Sequence, residues 1–271
     1  MTLKLFQLQA REQIMAHKSY SIPNTATPVA LALLLAGASA VAHGHAHEHK
    51  GGIQSKPAKA VASAFDIVHT KISTEGNTAV FHVSVSGKAG ASKPAKTGKL
   101  AGSQVFSYVW PTTLDPATVG FEAKAGILAF AVTSHPDFDD TPLFDENGDG
   151  NPKNDGNVWH SHWVVLAPDE ACGKGALKVV DIPEGSKPRL PKTWPGLPLL
   201  IDSPGWSPIF KGKTLKVRVP FDDIGVVSTA GFDGVTAALR VNASVHSPLL
   251  CVAKVFKVGS GDLSLPGKVN Q

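Results

Sequence analysis

Methionine is almost missing from this 271-residue chain: Met1 and Met15 are the only two. With an N-terminal leader removed none remains, which excludes a thioether copper site. Cysteine is equally scarce. Cys172 and Cys251 stand too far apart for a C-x-x-C redox motif or a C-x-x-C-H haem site. Charged residues make up only 18% and nearly cancel, leaving +4. The lysines lie in Gly/Ala/Pro-rich stretches rather than among aromatics, which argues against a nucleic-acid surface. No G-x-S-x-G elbow, H-E-x-x-H helix or phosphate-binding glycine loop is present. The acidic residues crowd into one polar loop, so paired carboxylates for glycoside chemistry cannot be argued. No segment sustains a 3.6-residue apolar period, which excludes a helical bundle.

What is present suits short strands joined by turns: 42% hydrophobic residues, 26 glycines and 20 prolines. The first part of the chain reads as an export signal. Lys4, Arg11 and Lys18 precede an apolar run over 28–42 that is short for a bilayer span and ends in small residues. Ala40-Val41-Ala42 and Ala38-Ser39-Ala40 both offer a signal-peptidase box; an uncleaved anchor is the alternative. Residues 1–42 are therefore assigned to a signal peptide and 43–62 to a histidine-rich flexible tail and linker. The folded domain is assigned to 63–260 and a C-terminal tail to 261–271. The expected location is periplasmic or extracellular, at the cell surface, with no integral membrane span in the mature chain. In that oxidising setting Cys172 and Cys251 are expected to form a disulfide.

Strand signals start at Ala64 and recur to residue 258. They include 79–85, 104–110, 126–134, 157–166, 176–182, 213–221, 235–246 and 251–258. The proline-rich stretch 183–208, with Trp194 and Trp206, reads as an irregular excursion over one sheet. Eight or nine strands at this spacing predict an all-β fold, a single antiparallel β-sandwich with long Pro/Gly-rich loops.

Two histidine patterns carry chemistry. His43, His45, His47 and His49 alternate where nothing apolar needs burying. Cleavage after Ala42 leaves His43-Gly44-His45, and cleavage after Ala40 leaves Val41-Ala42-His43. Either places an imidazole third from a free amine, a square-planar arrangement for Cu(II). Within the domain, His160 and His162 are two residues apart on a strand, so both imidazoles leave the same face and can chelate one ion. His135, at a strand end beside the acidic loop, is the first choice for a third ligand. His82 and His246 follow, and His69 comes last.

Asp145, Asn147, Asp149 and Asn151 follow the first half of a calcium loop, and Asp155 stands one residue before the missing position-12 glutamate. An Asx/Gly turn cluster is the competing explanation. Together these features predict an exported metal-binding protein for copper or zinc, with calcium as a further ion. The alternatives are a zinc-dependent hydrolase or hydro-lyase at the HxH strand, and a calcium-stabilised adhesion or ligand-binding sandwich. Transition-metal ions are the expected partners; the sequence names no protein partner.

Overall fold

The computed structural model describes residues 51–95, 101–136, 145, 149–151, 157–243 and 248–271. The histidine-rich segment, the stretch read above as an export signal, His246, Asn147 and Asp155 lie outside them.

Antiparallel strands dominate, but they do not form a single sandwich. Six strands close into a barrel: β4 (Gln104–Pro111), β5 (Ile127–Ser134), β6 (His160–Pro168), β7 (Leu177–Val179), β12 (Val235–Val241) and β13 (Leu250–Val258). The order β5-β4-β12-β13-β7-β6 returns to its start because β5 also pairs with β6, from Ile127 opposite Leu166 to Thr133 opposite His160. The short strand β8 (Ile201–Asp202) hangs on β6.

A second sheet of five strands packs against the barrel wall. Its order is β1 (Ile53–Gln54), β2 (Ile67–Glu75), β3 (Thr78–Val85), β10 (Thr214–Pro220) and β9 (Ile209–Lys211). The expected sandwich fails for a physical reason. A sandwich and a barrel present the same alternating strands, and what separates them is whether the edge strands find each other. Here β5 and β6 do, and that seam removes the open edges.

The strand faces divide accordingly. Phe81 on β3 meets Trp110, Phe130 and Trp163 on the barrel wall, with ring centroids 5.6, 4.6 and 5.9 Å away. This aromatic layer is the main core. The opposite faces of the same strands, through Ile127, Ala129, Ala131, Val164 and Leu166, line a second core inside the barrel with Val179, Val235 and Ala237. Every residue of β5 is therefore buried. Such a strand shows an unbroken apolar run rather than alternation.

Two further elements are ordered by contacts at the ends of the chain. Residues 261–271 bury Leu263, Leu265 and Val269, and β14 (Gly267–Lys268) pairs with β11 (Gly231–Phe232). Upstream, Lys257 pairs with the buried Asp66 at 3.3 Å, and Ala58 donates its N–H to the same carboxylate. Among the described residues, helix is limited to 3-10 turns and one five-residue helix, α1 (Ile224–Ser228), capped by Asp223.

Cys172 and Cys251 lie at disulfide distance, Cα–Cα 5.3 Å. The pair sits where backbone pairing is thinnest. Strand β7 meets β13 through one register pair, Cys251 opposite Lys178. Lys178 adds ion pairs to Asp169 at 2.9 Å and Asp181 at 3.1 Å, and Asp181 accepts the N–H of Leu249. The Lys178 ammonium holds the Asp169 carboxyl below its usual range, helped by the N–H of Ala171.

Candidate metal centre

His160 and His162 are the first and third residues of β6, in phase with Val164 and Leu166, and so point into the barrel. Both are at most 2% exposed. Thr133 and Ala131 are their cross-strand partners on β5, and the chain passes one residue beyond that strand to His135. The two strand ends are stitched where they leave the sheet: Asn157 donates its N–H to the carbonyl of His135 at 3.0 Å, and Ser134 donates its hydroxyl to the carbonyl of Asn157 at 3.3 Å.

One ligand atom from each of His135, His160 and His162 lies within 4.8 Å of the others. The Nε2 atoms of His135 and His160 are 3.1 Å apart, and the rings stand nearly perpendicular, centroids 4.8 Å apart. His160 and His162 are likewise edge to face at 4.7 Å. Imidazole nitrogens bound to one tetrahedral ion at the usual ~2.0–2.1 Å stand about 3.3 Å apart. The apposition of His135 and His160 therefore needs only small shifts to accept an ion.

The support around His162 fixes its tautomer. Its Nδ1 faces the carbonyl of Asp202 at 3.2 Å and the hydroxyl of Ser203 at 3.1 Å. A carbonyl only accepts, so Nδ1 carries the proton and Nε2 keeps its lone pair for a metal. Asp202 is itself held by Thr193, whose hydroxyl donates to its carboxylate at 2.7 Å. Burial raises the Asp202 carboxyl above its ordinary range, against the pull of Thr193 and of the Ser203 N–H. On the other side, Thr133 Oγ1 lies 3.2 Å from His160 Nε2. Three imidazoles in a largely apolar barrel end can hold zinc or copper. As neutral ligands they suit both, and the set contains no sulfur to favour one.

Of the residues singled out from the sequence, His135, His160 and His162 come together. His82 and His69 go to the outer face of the five-stranded sheet, on β3 and β2. The loop residues Asp145, Asp149 and Asn151 form an Asx-type turn. The Asp145 carboxylate accepts the N–H groups of Asp149 at 3.0 Å and Gly150 at 2.7 Å, and Asp149 accepts from Asn151 at 2.9 Å. Backbone N–H groups engage these carboxylates, an arrangement found both in a tight Asx turn and in a calcium loop. Thr133, Asp202 and Ser203 had no sequence signal. Thr133 could be found from strand register, but Asp202 and Ser203 arrive from the proline-rich excursion some forty residues on.

No family model matches the chain, and neither a curated protein nor a solved structure is similar enough to count as a match, so its chemistry rests on these residues.

Proposed function

We propose that this is an exported metal-binding protein in which His135, His160 and His162 hold one copper or zinc ion at the end of the barrel. The observation that carries the reading is the convergence of three imidazoles from adjacent strands within 4.8 Å, two of them buried. Histidines inside an apolar wall are costly unless their nitrogens are engaged, and an ion engages three at once. The histidine-rich segment 43–49 gathers or buffers the same ions outside the domain. The paired cysteines and the leader-like first 42 residues support an oxidising, exported setting. Among the described residues no helix is long and apolar enough to cross a membrane.

The test is metal titration of the processed protein beside a variant with His160 and His162 changed to Ala. The expected result is loss of one tightly bound zinc or copper equivalent in the variant, with ions on segment 43–49 retained. Identical stoichiometry and affinity in the two proteins would refute the barrel site.

A further inference from the structure

His160 is the first residue of β6 and stands where the ladder with β5 ends, opposite Thr133. Strand ends fray unless contacts outside the ladder hold them. Besides the stitch between Asn157 and His135, a second hold comes from the opposite face of the strand. Trp159, immediately before β6, is buried in the aromatic layer, with ring centroids 5.2 Å from Tyr108 and 5.6 Å from Phe210. Its indole N–H donates to the carbonyl of Gly90 at 3.1 Å. On the other side of His160, the fully buried Ser161 donates its hydroxyl to the carbonyl of Trp206 at 2.6 Å. Both neighbours of the ligand are thus tied to separate loops, one after β3 and one before β9.

The Gly90 peptide is itself held. Its N–H donates to the Tyr108 hydroxyl at 2.8 Å, and that hydroxyl donates to the carbonyl of Ala64 at 2.7 Å. Burial pushes the Tyr108 phenol up to about 12, so it keeps the proton that this relay uses. Hydrogen bonds in such a chain strengthen one another. Gly90 has φ +71, and a Cβ there would stand 2.8 Å from the Phe210 ring and 3.2 Å from Trp159 Nε1. Glycine permits both the turn and the close approach.

We infer that the Gly90–Trp159 contact positions His160 and biases the barrel site towards Zn(II) against Cu(II). This holds only if His135, His160 and His162 bind an ion as proposed above. The donors themselves do not choose, since neutral imidazoles suit both ions. The frame chooses. Zn(II) has no angular preference from its d electrons and accepts the angles that a fixed frame imposes. Cu(II) seeks a tetragonal plane, so it must either distort or move its ligands. His160 resists moving while Trp159 and Ser161 are tied behind it. Trp159 touches no ligand atom; it is a positioning residue.

The experiment uses the processed protein loaded with Co(II), whose visible bands are strong in a four-coordinate site. Bands that a His160→Ala/His162→Ala variant lacks report the barrel alone. Zn(II) and Cu(II) are each titrated against them, in buffers of fixed free ion concentration. Parent protein is compared with Trp159→Phe, which keeps an aromatic ring in the layer and loses the N–H. The expected result is that Trp159→Phe moves the ratio of Zn(II) to Cu(II) affinity about tenfold towards Cu(II). Gly90→Ala, whose new methyl group crowds the indole, is expected to move it the same way. Affinities that are unchanged in Trp159→Phe, or lowered alike for both ions as lost packing alone would do, would overturn the positioning role. A parent that binds Co(II), Zn(II) and Cu(II) no tighter than the His160→Ala/His162→Ala variant would overturn the barrel site itself, and the bias with it.

Discussion

At the scale of single residues, the proposed barrel site depends on groups outside its three imidazoles. Ser203 lies 3.1 Å from His162 Nδ1 and helps hold the ring with Nε2 turned inward. Ser203→Ala is expected to weaken metal at the barrel site by about tenfold, and His135→Ala by more, read by competition with a chelator. Equal affinity in the serine variant would mean that the Asp202 carbonyl suffices. Asp233 gives a pH prediction away from the site. It is fully buried, and burial raises its carboxyl above the ordinary range, against hydrogen bonds from the Ser260 hydroxyl and the N–H groups of Ser260 and Gly234. The folded state thus binds this proton more tightly than the unfolded chain. That contribution to stability is complete below the ordinary carboxylate pKa and is lost as pH rises through the raised one. Asp233→Asn removes the titration while keeping an acceptor oxygen. Urea midpoints measured from about pH 4 to 7 should therefore show the variant gaining on the parent as pH rises. Parallel curves would rule this out.

At the scale of elements, the seam between β7 and β13 is the barrel's thinnest closure, and the cysteine pair lies beside it. Cross-linking a separation of 79 residues is worth about 4 kcal/mol in a chain-entropy model. Replacing both cysteines with serine should lower stability by about that much. It should also make the amides of β7 and the start of β13 the fastest-exchanging of the barrel, measured by hydrogen exchange. The metal site should keep its affinity, because Cys251 aligns through Lys178 with Ala167, at the far end of β6 from His160. The legibility of these elements was uneven. The His160/His162 pair could be read from a spacing of two, since strand geometry alone puts both on one face. His135 could be read from its place at a strand end. Strand β5 gave its existence but not its surroundings: buried on both faces, it lost the alternation that would have marked an inner and an outer side. Closure through β5 and β6 was not legible at all, because edge pairing depends on register between strands rather than on pattern within one.

At the scale of the whole molecule, barrel and five-stranded sheet share one aromatic layer, and the sheet has no other core, whereas the barrel has a second one inside. Phe81 is completely buried and contacts Trp110, Phe130 and Trp163 across the boundary. Phe81→Ala should cost about 3–5 kcal/mol. Near-ultraviolet signals from the tryptophans and far-ultraviolet signals from the strands should still melt together. Two separated transitions would show that the sheet and the barrel unfold independently. The same sharing explains why 183–208 is not a bystander. Trp206 packs on Phe130, its carbonyl accepts the Ser161 hydroxyl, and β8 brings Asp202 to His162. A segment whose regular structure is limited to the two-residue β8 thus helps complete the candidate metal centre.

The stitch between His135 and Asn157 has a practical consequence. Chain that leaves and re-enters the sheet through a 3.0 Å contact forms a closed excursion, whose length the barrel does not have to notice. The entropic cost of lengthening such a loop grows only with the logarithm of its size. A fluorescent reporter spliced in after Gly150, which is exposed, would hang from the two anchors beside His135 and His160, so that ion occupancy could be followed optically without touching a ligand.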